Sequence, residues 1–381
     1  MQERMPVPSN EPQAVEQALM RLRQASLAGV SRGLPAVRAT VYNLVAYAGS
    51  QALASRMSDW IAGLAESQPS RAIILGHEPR ARTDLETTVA ARCHPALAGR
   101  LVCIEEIVIM ATREAEERLA TIVLSLLLRD LPTALWWPGD LPLGSTLFER
   151  LSATADRLLA DSASARDPRA LLRQLVAMGH AAHCQCIIGD LNWDRLTPWR
   201  ELIAQFFDPS DCRPCLDRLD HLHIEYLAGE HGGGLAAAYL LVAWLATRLG
   251  WRPAPEPMER ILGGELLHLM RGEEPVDIEL ISLPQAAPAE AALQSLSLHA
   301  RIEEGDATFA IRRTGAAEAD VTTSLPRSEP RSRTVTLPSP HPGQLLAQQL
   351  ARAGFDPSYP EALRMAAYFS AQTLAPVPFF G

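Results

Sequence analysis

Cys186-Ile187-Ile188-Gly189-Asp190-Leu191-Asn192-Trp193-Asp194-Arg195-Leu196-Thr197-Pro198-Trp199-Arg200 runs from a short apolar strand, through a polar turn rich in indoles, into a helix. Cys186 to Gly189 has the continuous apolar character of a strand covered on both faces. Thr197 reads as the helix N-cap and Pro198 as its first residue, where a missing N–H leaves nothing unpaired. Glu201 complements the positive helix end. Trp199, Leu202, Ile203, Phe206 and Phe207 then recur on one face with helical spacing, and Asp208-Pro209 stops the run.

Upstream of this block, strands alternate with helices. A helix over residues 12–28 carries Val15, Leu19, Leu22 and Leu27 on one side. An extended run from Val37 to Tyr47 leads to a helix bearing Leu53, Met57, Trp60, Ile61 and Leu64. Strands are expected at Ala72–Leu75, Leu85–Arg92, Leu101–Met110, Thr133–Trp137 and Arg157–Ala160, with helices near Glu114–Leu128 and Pro168–Met178. The alternation predicts a three-layer α/β domain with a largely parallel sheet.

Downstream, Leu219–Tyr226 reads as a strand and Gly232–Thr247 as a buried helix, shorter than the ~20 residues a bilayer requires and broken by Arg248. Three prolines between Arg252 and Pro257 resist helix and sheet alike and mark a linker. Strands at Val276–Leu283, Leu293–Glu303, Ala307–Arg313 and Ala319–Leu325 follow. After them come a Pro/Ser/Arg-rich stretch from Pro326 to Pro342 and two helices, Pro342–Ala353 and Pro360–Thr373. The expected organisation is a disordered tail at 1–12, an α/β domain at 13–251, a linker at 252–258, and a C-terminal α+β domain with an antiparallel sheet at 259–381.

Composition narrows the function. With 48% apolar and 21% charged residues, the 381-residue chain can bury a substantial core, and its net charge of −9 argues against a surface that tracks nucleic acid. All 35 basic side chains are arginines, so a P-loop lysine and amine-based covalent catalysis are both excluded. Met1-Gln2-Glu3-Arg4-Met5-Pro6 has no apolar signal core. A cytoplasmic protein without a membrane span is expected, its six cysteines being thiols and not a disulfide framework.

Two Trp/Arg-rich blocks stand out as contact candidates, because these residues dominate binding hot spots. Trp136 and Trp137 end a strand before Pro138-Gly139, at the carboxyl edge where α/β sheets place ligands. Asp190, Asn192, Trp193, Arg195, Trp199 and Arg200 form the second block. The cysteines supply redox candidates. Cys212 and Cys215 lie in a loop where Arg213 would lower a thiol pKa, and Cys184 and Cys186 lie about 25 residues before them. With His180, His183, His221 and His223 nearby, the cysteine spacing also permits a tetrahedral zinc set. Cys186 opens an apolar strand where a buried thiol is ordinary, so no metal is assigned. The cluster Gly229-Glu230-His231-Gly232-Gly233-Gly234 reads as a turn. No catalytic motif such as H-E-x-x-H, G-x-S-x-G or a strand-borne G-x-G-x-x-G is present. Glu105 and Glu106 alternate faces of a strand and cannot share one site.

The blocks Asp130-Leu131-Pro132 to Trp136-Trp137, Asp156-Arg157 to Asp161-Ser162, and Asp190 to Arg200 resemble the OpcA family in order and spacing. Cys103-Ile104-Glu105-Glu106-Ile107 and the region from Leu345 to Leu363 are similar as well, so the likeness spans most of the chain. Its most specific part is Asp190 to Leu196. The resemblance implies a non-catalytic assembly and allosteric activator subunit of glucose-6-phosphate dehydrogenase in the oxidative pentose phosphate pathway, with no cofactor of its own. Cyanobacterial members imply a link to thioredoxin through C-terminal cysteines, but this chain has none beyond Cys215. The alternative is a sugar-phosphate sensor or enzyme at the sheet edge, with Arg195 and Arg200 gripping phosphate.

Overall fold

The structure is a computed structural model that describes residues 4–8, 11–29, 36–37, 40–64, 67–77, 84–96, 100–181, 184–228, 233–284, 292–352 and 354–372. The chain divides into two compact units, one of residues 1–160, 178–189 and 341–355, the other of 161–177, 190–340 and 356–381.

The first unit is built on a sheet of β1 (Met5–Pro6), β2 (Ala36–Val37), β3 (Tyr42–Tyr47), β4 (Ser70–His77), β5 (Leu85–Ala96), β6 (Arg100–Ala111), β7 (Thr133–Pro138), β8 (Arg157–Asp161) and β9 (Ile187–Asp190). They lie in the order β1-β5-β6-β4-β3-β7-β8-β9, with β2 paired to β6. β3 runs parallel to both β4 and β7, and β4 parallel to β6, while the edge strands β5 and β1 are antiparallel. Counting β3, β4, β6, β7, β8 and β9 as one to six, this is the order 3-2-1-4-5-6 of doubly wound dinucleotide-binding sheets. β3 and β4 are buried along almost their whole length, which is why they read as unbroken apolar runs.

Several buried polar side chains tie this unit together. Asn43 donates to the Leu128 and Leu131 carbonyls and accepts from Leu128 N–H, which pins the turn before β7. Arg71, 1% exposed, donates to Glu105 at 2.7 Å, to Glu16, and to the Leu126 carbonyl at 2.8 Å. Glu106, one residue on, bonds Ser58 on the opposite face, so the two glutamates serve separate sites as the alternation predicts. Arg157 donates to the Gln349 and Arg352 carbonyls and so caps the carboxyl end of the helix Pro342–Ala351.

The second unit contains a sheet of β10 (Leu219–Leu227), β11 (Arg252–Pro253), β12 (Glu259–Ile261), β13 (Gly264–Arg271), β14 (Glu274–Leu283), β15 (Leu293–Ile302), β16 (Gly305–Arg313), β17 (Glu318–Ser324) and β18 (Arg331–Thr336). The order is β11-β13-β14-β10-β15-β16-β17-β18, with β12 on β13. Every pair is antiparallel except β10–β14. Leu222, Ile224, Ile278, Leu280, Leu298 and Phe309 form the buried face. The helix Gly233–Leu249 packs on it. Among the described residues no helix is long and apolar enough to cross a membrane.

The two-sheet α/β plan follows the expectation, with three corrections. Met5–Pro6 pairs with Val89 and Thr88, so this part of the expected tail is an edge strand. The segment expected as a linker supplies β11, because a proline is tolerated on a sheet edge. β10 sits in the centre of the second sheet, since its apolar residues find their partners in β14 and β15, and this makes that sheet mixed.

Candidate functional site

Asp190 ends β9, and its carboxylate Oδ1 accepts from the backbone N–H groups of Asn192 and Ser162, each at 2.9 Å. It is therefore the N-cap of a short helix, Leu191–Arg195, and the helix Thr197–Phe206 follows with Leu196 at its cap. Thr197 is not the cap expected from sequence; its hydroxyl accepts from Arg200 at 2.9 Å. Asn192 donates to Ser162 Oγ at 3.0 Å and to the Gly233 carbonyl at 3.4 Å. Gly233 is required there, because a Cβ would stand 2.3 Å from the Ala163 carbonyl oxygen. Arg195 forks onto Asp161 with contacts of 2.6 and 2.8 Å. Trp193 donates through Nε1 to Asp356 at 2.8 Å, with the Arg200 guanidinium 3.7 Å above its ring and Tyr359 beside it.

The block is thus a clasp inside the second unit, tying residues 161–163, 190–200, 233 and 356–359 together. Asp190, Asn192, Trp193 and Trp199 are buried, as are Trp136 and Trp137 in the first unit. The expectation that these side chains present a contact surface does not hold for the six of them, because each is buried within its own unit. Arg195 and Arg200 are part-exposed, and both guanidiniums already bind protein groups. A cavity of ≈ 30 Å³ borders Asn192, Arg195, Trp199 and Arg313, far below the ~300–1,000 Å³ of a small-molecule site.

Burial pushes the Asp190 carboxyl up to about 6, and the neighbouring Asp161 charge adds to the rise, against the lowering by the backbone donors. Arg195 feels the same burial, which works against its charge, but Asp161 more than compensates and raises its pKa. A carboxyl raised in the folded state favours the protonated form. That stability is present below the unfolded value near 3.8 and is lost as pH rises through about 6. Asp190→Asn keeps an oxygen acceptor for both N–H groups and removes the charge. It is expected to gain on the wild type as pH rises from 4 to 7, by at most roughly 3 kcal/mol. Urea midpoints across that range check this, and parallel pH profiles for the two proteins would contradict it.

The doubly wound sheet directs attention to its switch point, the crevice at the carboxyl ends of β3 and β7, where such folds hold a dinucleotide. Ala46 pairs with Trp136, so one residue later Tyr47 and Trp137 stand side by side. Their rings stack at 3.9 Å with an interplanar angle of 2°, and Phe148 meets Trp137 edge-on at 5.1 Å. The turn after β3 is Ala48-Gly49-Ser50 and has one glycine where a pyrophosphate loop needs several for close approach. These residues do not fit a nicotinamide dinucleotide.

The cysteines are placed otherwise than expected. Cys184 and Cys186 form a disulfide with each other, which leaves neither as a zinc thiolate. Cys212 and Cys215 are free but buried, and burial, with Asp211 adding to it, pushes both thiols up; the expected exposed, activated pair is not found. His183 and Gly229–Gly232 lie outside the described residues. His221 and His223, weighed above only alongside the cysteines, meet Glu279 on the second sheet, a third member from another strand that the sequence did not announce.

Topology and site together define a two-unit α/β protein on a Rossmann-type sheet whose switch point carries a stacked Tyr47–Trp137 pair. An oxidoreductase from Sinorhizobium meliloti shares the fold, with TM-score 0.50 and 12% identity over 88% of this chain and 96% of that one. Residues 62–177 match the family described as "Glucose-6-phosphate dehydrogenase subunit N-terminal domain", and residues 186–363 match the corresponding "C-terminal domain". The chain is 29% identical over 314 residues to the protein of Synechocystis sp. named "Putative OxPP cycle protein OpcA", covering 79% of this chain and 63% of that relative. It is 28% identical over 319 residues to OpcA of Synechococcus elongatus, covering 80% and 68%. It therefore spans just under two thirds of the Synechocystis protein's length. The chain belongs to the OpcA family of glucose-6-phosphate dehydrogenase subunits.

Proposed function

We propose that this chain is a non-catalytic cytoplasmic subunit that binds glucose-6-phosphate dehydrogenase and activates it by promoting its assembly. The observation that carries the reading is the Tyr47–Trp137 stack at the switch point, in a chain matched along both of its domains by the dehydrogenase-subunit family. A sheet built like that of an oxidoreductase, with stacked rings and a single glycine where a dinucleotide loop needs several, suits docking better than hydride chemistry. The Trp/Arg clasp then serves to hold the second unit in its binding-competent form. Within this reading Cys184–Cys186, already a disulfide and with Cys186 part-exposed, is the pair a thioredoxin dithiol would reduce to two thiols, itself becoming a disulfide.

Steady-state kinetics test the proposal. Adding the purified chain to its cognate dehydrogenase is expected to raise kcat/KM for glucose 6-phosphate in a saturable manner, while the chain alone turns over neither glucose 6-phosphate nor NADP+. Unchanged kinetics at saturating chain, or turnover by the chain alone, would overturn it.

A further inference from the structure

The second sheet carries a row of half-buried imidazoles on the face opposite its apolar residues. His221 and His223 are two apart on β10 and project from the same side, and Glu279 of the parallel strand β14 lies directly in register with His223. Glu279 Oε2 is 3.0 Å from His223 Nδ1 and 3.8 Å from His221 Nε2. One ligand atom from each of the three lies within 4.8 Å of the others. Donors bound at 2.0–2.2 Å to a tetrahedral ion stand about 3.4 Å apart, so the group needs only small side-chain rotations to close on a metal. Glu225 approaches His223 Nε2 at 3.9 Å and accepts from the Ser295 hydroxyl at 2.5 Å, which gives the site an anchored outer carboxylate.

We infer that His221, His223 and Glu279 form a binding site for a divalent transition metal of the zinc type, with water or an external ligand in the fourth position. Two imidazoles and one carboxylate select zinc, cobalt, nickel or copper over magnesium and calcium, which take oxygen donors. The strands hold the ligands in fixed register, and the part-exposure of all three leaves an entry path from solvent. His-x-His on a strand is the sequence signal. The third ligand, 56 residues further on, becomes visible only through the β10–β14 pairing.

The test uses the untagged full-length chain, stripped with EDTA and titrated calorimetrically with ZnCl2, with CoCl2 as a spectroscopic probe. Saturable binding of one ion per chain is expected, with visible Co2+ bands of a tetrahedral nitrogen/oxygen site. Affinity should fall at least about tenfold in His223→Ala and in the shape-conserving Glu279→Gln, and hold in His268→Ala on the same face. Circular dichroism identical to the wild type certifies each variant as folded. Absence of saturable binding, equal affinity in wild type and Glu279→Gln, or a near-ultraviolet thiolate band placing the ion on cysteine would each overturn the assignment.

Discussion

Trp193→Ala is expected to destabilise the chain by about 3–5 kcal/mol, the usual cost of deleting a buried indole. Trp193 is 1% exposed, and its ring is sandwiched by Arg200 and flanked by Tyr359. Its removal also leaves the Asp356 carboxylate without the Nε1–H donor. Trp193→Phe keeps most of the packing and loses that hydrogen bond to a charged acceptor, for about 1.5–3 kcal/mol. Urea unfolding at pH 7 ranks the two. If the indole is internal, Trp193→Phe still binds the dehydrogenase as the wild type does; a large loss of binding with stability preserved would mean that the ring meets the partner after all.

The second large effect is expected at Arg71. Arg71→Met leaves Glu105, itself 1% exposed, with Arg23 as its ion-pair partner at 2.9 Å. Breaking one side of a buried pair costs roughly 3–5 kcal/mol, because the remaining charge stays desolvated. Burial works against the Arg71 charge, and the hydrogen bond and charge of Glu16 together with Glu105 outweigh it and raise its pKa. The double variant Arg71→Met/Glu105→Leu removes both charges and is expected to recover most of the loss. A double-mutant cycle on urea midpoints measures the coupling, and additive losses would contradict it.

The alternation of apolar strands and amphipathic helices was legible as an α/β chain because period and turn chemistry are local. β7, β8, β14 and the helix Pro342–Ala351 fall where the pattern places them. What the pattern could not carry is partnership at a distance. β18 hides in an arginine- and proline-rich stretch that looks like loop, because an edge strand needs few apolar residues. Asp190 caps a short helix that the sequence did not announce, because two N–H groups converge on it, one of them Ser162 from 28 residues earlier.

The Trp/Arg block shows the same limit. Its composition is that of a binding hot spot, yet Asp161, Gly233 and Asp356 fold over it and turn it into a clasp. Tyr47 and Trp137, 90 residues apart, meet only because β3 and β7 pair in parallel at the reversal of strand order. Each of these readings needed the sheet order, and a single chain read residue by residue does not supply it.

Sedimentation velocity of the chain mixed with its cognate glucose-6-phosphate dehydrogenase separates a complex from its free components. A single faster boundary is expected that contains both polypeptides and carries the dehydrogenase activity, with a stoichiometry that saturates as the chain is titrated. Two independent boundaries at micromolar concentrations, each unchanged from its component alone, would contradict it.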